Sequence, residues 1–79
     1  MDVPVIEITA PAAREVLSDL RGTIIGTVET QRLTGKVIAR DARGVVVGTY
    51  DPRLNETRDA RGRVIGRGNL LGALLLRGR

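Results

Sequence analysis

The side chains that most often do chemistry are scarce in this chain. Its 79 residues include no histidine and no cysteine, which removes the commonest general base, the thiolate nucleophile, the Ser-His pair and the principal zinc and iron-sulfur ligands. Carboxylates, arginines and glycines are left. Asp41 and Asp59 invite comparison with an acid-base pair that cleaves glycosides, and Asp51, Glu56 and Asp59 with oxygen ligands for a hard cation. A simpler reading accounts for them. Asp41 and Asp59 hold equivalent places in a repeated turn, the calcium-loop pattern is absent, and Arg53, Arg58 and Arg61 would repel a cation. The run Gly62-Arg63-Val64-Ile65-Gly66-Arg67-Gly68 is glycine-rich, but it lacks the Lys-Ser/Thr pair of a phosphate loop, and its glycines flank strand-like residues instead of opening a helix. The expectation is a protein that is not an enzyme, with no catalytic residue, metal, cofactor or small-molecule substrate.

The residues that remain conspicuous belong to a repeat. Asp41-Ala42-Arg43-Gly44 recurs unchanged as Asp59-Ala60-Arg61-Gly62, and each copy leads into aliphatic residues and a glycine, ending at Gly48 and Gly66. The glycine-aliphatic part also occurs as Gly22-Thr23-Ile24-Ile25-Gly26 and Gly35-Lys36-Val37-Ile38-Ala39. Gly35, Gly44 and Gly62 lie on a nine-residue grid, about enough for one short strand and one turn, and Asp51-Pro52-Arg53-Leu54 fills the vacant slot. In such a turn the Asp side chain accepts from backbone N–H groups further on, Gly supplies a positive φ, and Pro presets the first central position. Asp41, Gly44, Asp51, Pro52, Asp59 and Gly62 are therefore the expected turn residues. Tyr50, the lone aromatic, is expected to pack across strands beside the Asp51-Pro52 turn.

These turns must be carried by strands near residues 22–30, 35–40, 45–50, 55–59 and 62–67, joined as an antiparallel meander. Two helices are expected to flank it. Thr9 reads as an N-cap and Pro11 as a first-turn residue before Ala12, Ala13, Val16, Leu17 and Leu20, with Gly22 ending the helix. Asn69 reads as the cap of a Leu-rich helix from Leu70 to Leu76. The sequence thus predicts one mainly β domain in three parts: an N-terminal strand or helix segment over 1–21, the β-repeat meander over 22–68, and a C-terminal helix with a basic tail over 69–79. The aliphatic pairs do not alternate with polar residues, which implies either strands covered on both faces or a face that meets a neighbouring chain.

A chain this short buries about 60% of the surface its unfolded form exposes, and it has no disulfide or metal to compensate. Oligomerisation is one remaining route to stability. The terminal Leu-rich helix is apolar all round, so it is either buried in its own domain or in contact with another subunit, which makes Leu70, Leu71, Leu74 and Leu75 the candidate assembly contacts. Charge suggests a second partner class. Residues 1–29 carry a net of −3 and residues 30–79 a net of +7, which makes Arg40, Arg43, Arg58, Arg61 and Arg63 candidate nucleic-acid contacts. Stacking on bases usually needs several aromatic side chains, so self-association is preferred. The longest apolar run is far shorter than the roughly 20 residues that cross a bilayer, and the start of the chain lacks the pattern of a secretory leader. Synthesis in the cytoplasm and no membrane partner are expected.

The stretch from Ala39 to Pro52, followed by Thr57 to Gly66, resembles the small "4-fold beta flower" proteins and, more distantly, RHS/YD-repeat hairpins, which share a Tyr/Arg-Asp-x-x-Gly-x-Val-Ile-Gly unit. Their aromatic residues are largely replaced here by Arg and Val. The ending Gly68-Asn69-Leu70-Leu71-Gly72-Ala73-Leu74-Leu75 is similar to those of small phage or prophage proteins that carry such repeats. The resemblance implies a non-catalytic β module in a bacterial or phage structural setting, with other virion subunits as partners and the virion as its place. It transfers no active-site residue.

Overall fold

The structure, a computed structural model, describes residues 11–77, with side chains from residue 13 onward. Six strands form one sheet in the order β1-β2-β3-β4-β5-β6, every neighbouring pair antiparallel. They are β1 (Pro11–Ser18), β2 (Ile24–Gln31), β3 (Val37–Asp41), β4 (Val46–Asp51), β5 (Glu56–Asp59) and β6 (Val64–Arg67), followed by one helix, α1 (Leu71–Arg77). The five strands expected between residues 22 and 67 and the C-terminal helix form close to their expected places.

The N-terminal helix does not form over the described residues. Pro11 to Ser18 make β1, paired with β2 from Pro11↔Gln31 to Ser18↔Ile24; Thr9, the expected cap, lies outside the described residues. The meander therefore begins at residue 11, not 22, and has six strands, not five. Helix propensity favours Ala and Leu over strand formers by less than about 1 kcal/mol per residue, whereas β1 gains a continuous backbone ladder against β2. Pro11 suits this reading equally well, since the first residue of an edge strand can lack an N–H. The sheet places Val16 and Leu17 on opposite faces, so their adjacency carries no helical meaning.

The aliphatic pairs have a local explanation. Register slips by one residue between Leu17 and Ser18 opposite β2, between Ala39 and Arg40 opposite β4, and between Thr57 and Arg58 opposite β6. The residue left over is Ile25, Val47 or Ile65, the second aliphatic of each pair. A bulge of this kind inserts an extra residue and breaks strict alternation. Three of the aliphatic pairs thus mark a bulge after a turn instead of a strand buried on both faces, whereas Val37 and Ile38 alternate regularly in β3.

Directly opposed residues point to the same side of a sheet, so the register assigns the faces. One carries Leu17, Gly26, Val28, Val37, Ala39, Gly48, Tyr50, Thr57 and Gly66. Helix α1 packs across this face, and the core consists of Ile25, Ala39, Leu71 and Leu75, with Leu17, Val28, Val37, Val47, Tyr50 and Leu74 partly buried around them. The helix can approach because glycines lie beneath it. A Cβ on Gly26 would overlap the Arg40 carbonyl and lie 2.7 Å from Leu75 Cδ2; on Gly48 it would lie 2.6 Å from both Arg58 O and Leu74 Cδ1; on Gly66, 2.7 Å from Leu70 Cδ1. Between them, Ala39 is fully buried, the smallest side chain that has a Cβ.

Entry into α1 is fixed by Thr57, a fully buried residue on β5. Its hydroxyl donates to Gly68 O at 2.6 Å and accepts from Leu70 N at 2.9 Å. Asn69 then caps the helix as expected, its Oδ1 accepting from Leu71 N at 3.1 Å. Arg77 in the last turn complements the carbonyl end of the helix dipole.

This packing makes two glycines behave oppositely on substitution. Gly48→Ala should lower the unfolding free energy by about 1–3 kcal/mol, because the new methyl meets a backbone carbonyl as well as a leucine. Gly72 on α1 has no atom near its would-be Cβ, so Gly72→Ala should raise stability by about 0.5–1 kcal/mol through helix propensity alone. Urea denaturation of the two variants checks both signs.

Candidate functional site

The surface features that could do something derive from one structural unit used three times. Asp19-Leu20-Arg21-Gly22 turns β1 into β2, Asp41-Ala42-Arg43-Gly44 turns β3 into β4, and Asp59-Ala60-Arg61-Gly62 turns β5 into β6. In each, the Asp Oδ1 accepts from the backbone N–H groups two and four residues on: Arg21 and Thr23 at 2.9 Å each, Arg43 and Val45 at 2.9 and 3.0 Å, Arg61 and Arg63 at 2.9 and 3.0 Å. The Gly N–H donates to the Asp carbonyl at 2.9–3.0 Å, and Gly22, Gly44 and Gly62 share a φ of 83–87°. The Asp therefore serves the backbone, which is the reading the sequence supports for Asp41, Gly44, Asp59 and Gly62.

The first copy escapes the sequence reading because Gly22 passes there for a helix stop. Its signal is present: an Asp three residues before Gly22 and an Arg just before it. Recognising it makes the repeat Asp-x-Arg-Gly-x-[Val/Ile]-[Val/Ile]-Gly in three full copies, beginning at Asp19, Asp41 and Asp59. Each position then has a role. The first glycine makes the turn, the two aliphatics divide between the uncovered face and the bulge, and the second glycine seats the helix.

The two opposite turns are of another kind. Asp51 Oδ1 accepts from Arg53 N at 2.9 Å, Pro52 follows it in the turn, and Asn55 takes a positive φ of 53° while its Oδ1 accepts from the Tyr50 hydroxyl at 2.8 Å. Tyr50 thus packs on the core and tethers the Asp51-Pro52 turn. Among the described residues no cluster of three Asp or Glu groups is placed to hold a metal ion.

In a meander, alternate turns share an end of the sheet, so Arg21, Arg43 and Arg61 stand in a row at spacings of about 10 Å, two strand widths each. Of the candidate nucleic-acid contacts, Arg43, Arg61 and Arg63 lie at this end and are exposed. Arg40 and Arg58 lie instead on the face that α1 leaves uncovered. Three of the five have acidic neighbours: Arg40 Nε is 3.9 Å from Glu29, Arg58 Nη2 is 3.5 Å from Glu56, and Arg63 Nε is 4.0 Å from Asp59. Arg58 also donates to Gly62 O at 2.8 Å. The five do not converge on one surface.

Of the two places open to the Leu-rich helix, the structure shows burial in the chain's own core. Leu71 and Leu75 are buried in the chain's own core, and Leu70 and Leu74 are half-buried over Gly66 and Gly48. The helix turns its Leu-rich side inward because three glycines open room for it. Apolar surface is exposed elsewhere. On the uncovered face Val16, Ile24 and Val64 are 55%, 53% and 48% exposed, beside Thr27, Ile38, Val46 and Thr49. A groove of about 660 Å³ opens where α1 stops short of β1, lined by Leu17, Leu20, Ile25 and Leu76.

No helix among the described residues is long and apolar enough to cross a membrane. Comparison with protein families, curated proteins and solved structures finds no match to this chain.

The Asp59 carboxylate makes the fold acid-sensitive in a definite direction. The hydrogen bond from Arg63 N does most to hold the Asp59 carboxyl below its ordinary value; desolvation opposes it, and the hydrogen bond from Arg61 N and the two guanidinium charges add to the lowering. The folded chain thus binds this proton less readily than the unfolded one. The stabilisation is fully present above the unfolded pKa of about 4 and is lost as pH falls through the lower folded value. The urea midpoint should fall between pH 5 and pH 3, and Asp59→Asn should make that fall shallower, as fluorescence or circular dichroism titrations at each pH would register.

Proposed function

We propose that the chain is a non-enzymatic structural protein that works by joining other copies of itself or other subunits. The observation that carries this reading is an incomplete sheet. Helix α1 covers one face only, and the described residues fully bury Ile25, Ala39, Leu71 and Leu75 as their apolar core. Burial of a large aliphatic side chain contributes about 1.5–3 kcal/mol, so a core this small leaves a domain that gains much from further contact. Val16, Ile24 and Val64 on the open face, and Leu20 and Leu76 at the groove, supply the surface for it. The contact therefore falls to the open face, the groove and the sheet edges, with α1 packed on the opposite face. A phage or prophage particle is the setting that the resemblance of the repeat implies.

A basic nucleic-acid-binding module is the alternative, favoured by the row of Arg21, Arg43 and Arg61. It is ranked second because each of these arginines follows a turn aspartate by two residues and because Arg40, Arg58 and Arg63 have acidic neighbours.

Sedimentation equilibrium over a hundredfold range of concentration should show a mass that rises above that of the monomer. Val16→Glu and Val64→Glu, both at exposed positions, should shift this rise to higher concentration without loss of the β signal in circular dichroism. A monomer throughout would contradict the assembly reading. Salt-dependent binding of an oligonucleotide by that monomer would establish the alternative.

A further inference from the structure

The repeat contains a rule for how one copy of it joins the next, and the two outer strands of the described sheet obey that rule. Within the sheet, the first repeat hands over to the second at β2·β3 and the second to the third at β4·β5. Both junctions have the same register: Gly26 opposes Asp41, and Gly48 opposes Asp59. In each, the second glycine of one repeat meets the turn aspartate of the next. The following pair is Thr27 with Arg40 in one and Thr49 with Arg58 in the other, a hydroxyl facing a guanidinium on the uncovered face. The pair after that combines a larger and a smaller side chain beneath α1, Val28 with Ala39 and Tyr50 with Thr57.

The third repeat ends at β6, equivalent to β2 and β4, and no described strand pairs with its outer edge. The first repeat begins at β1, equivalent to β3 and β5, and its outer edge has no described partner either. From this we infer that the chain adds head to tail, β6 of one copy pairing antiparallel with β1 of the next, in the register that the internal junctions use. The inference rests on the assembly reading above and names its partner as a second copy.

The register places Gly66 opposite Asp19 of the next copy, Arg67 opposite its Ser18, and Gly68 opposite its Leu17. Each pair preserves the internal pattern. Gly meets Asp, and a large residue again meets a smaller one, with Leu17 on β1 now the larger and Gly68, just past β6, the smaller. Hydroxyl and guanidinium are also kept together, but with sides exchanged: the third repeat has Arg67 where the others have Thr27 and Thr49, and the first has Ser18 where the others have Arg40 and Arg58. Had β1 kept the arginine of β3 and β5, two guanidinium groups would face each other at the junction. Like charges directly opposed across strands are destabilising. The exchange avoids that, at the two outer strands of the described sheet.

The apolar surfaces agree with this placement. Leu70 sits over Gly66 at the β6 end of the ridge of leucines, and the groove of Leu17, Leu20, Ile25 and Leu76 opens at the β1 end. Joining β6 to β1 brings the Leu70 end of one copy beside the groove of the next, on the face that carries α1 in both. Such a contact is heterologous, so it builds rings or filaments and not two-fold dimers.

The absence of cysteine makes the test direct. Ser18→Cys and Arg67→Cys are prepared as separate proteins, mixed and oxidised. Opposed residues in an antiparallel pair have Cα atoms about 4.5–5.5 Å apart, within disulfide reach. The expected product is a cross-link between the two different variants that exceeds any cross-link within either one. A second test uses Ser18→Arg, which gives β1 the residue that β3 and β5 already hold, so the fold is retained. It should weaken association about fivefold through the opposed arginines, and adding Arg67→Thr should restore it. Concentration-dependent association with no mixed cross-link, a Ser18→Cys self-dimer, or unchanged association of Ser18→Arg would overturn the head-to-tail junction while leaving the assembly reading in place. A monomer at every concentration would overturn both.

Discussion

The close approach of four leucines to three glycines is the contact on which the rest of this structure depends. Leu75 meets Gly26, Leu71 and Leu74 meet Gly48, and Leu70 meets Gly66. One glycine comes from each repeat, so one short helix clamps all three hairpins of the sheet together. A seven-residue helix is marginal by itself in water, and an antiparallel sheet with both faces wet has little to hold it. Each therefore makes the other stable. The Thr57 hydroxyl, which joins β5 to the strap between β6 and α1, fixes where the helix begins and hence which leucine reaches which glycine.

The same arrangement explains the unusual composition. Turns of the Asp-x-Arg-Gly kind need one glycine each for a positive φ, and the helix seat needs a second, so a three-repeat sheet consumes six of the ten glycines. Large aromatic residues would fill the space that α1 occupies. Tyr50 is tolerated because it lies away from the glycine row and carries its hydroxyl out to Asn55. The turn aspartates are backbone ligands: Asp19, Asp41, Asp51 and Asp59 each accept from backbone N–H groups of their own turns.

Much of this is legible in the sequence, and what is not has physical causes. The turns at Asp41, Asp51 and Asp59, the meander between residues 35 and 67 and the Asn69 cap follow from local rules: side-chain acceptors, positive-φ glycines and β-branched runs act within a few residues of themselves. β1 is not legible in this way, because Ala12, Ala13, Val16 and Leu17 suit a helix locally and are drawn into a strand by β2, whose partners to Ala13, Val16 and Leu17 lie nine or more residues away. That error hides the Asp19 turn as well, since Gly22 then reads as the end of a helix. The aliphatic pairs mislead for a similar reason: a bulge sends neighbours to unexpected sides. The inward direction of Leu71 and Leu75 depends on the seats at Gly26 and Gly48, which become visible only when the register is known.

The central claim is that the sheet is completed by a neighbour at its two outer strands. Backbone hydrogen exchange resolved by residue and followed over a dilution series tests it most directly. The account predicts that amides in β1 and β6 gain protection as concentration rises, while those of β3 and β4, already paired on both sides, stay constant. Protection in β1 and β6 that does not change with concentration would contradict it.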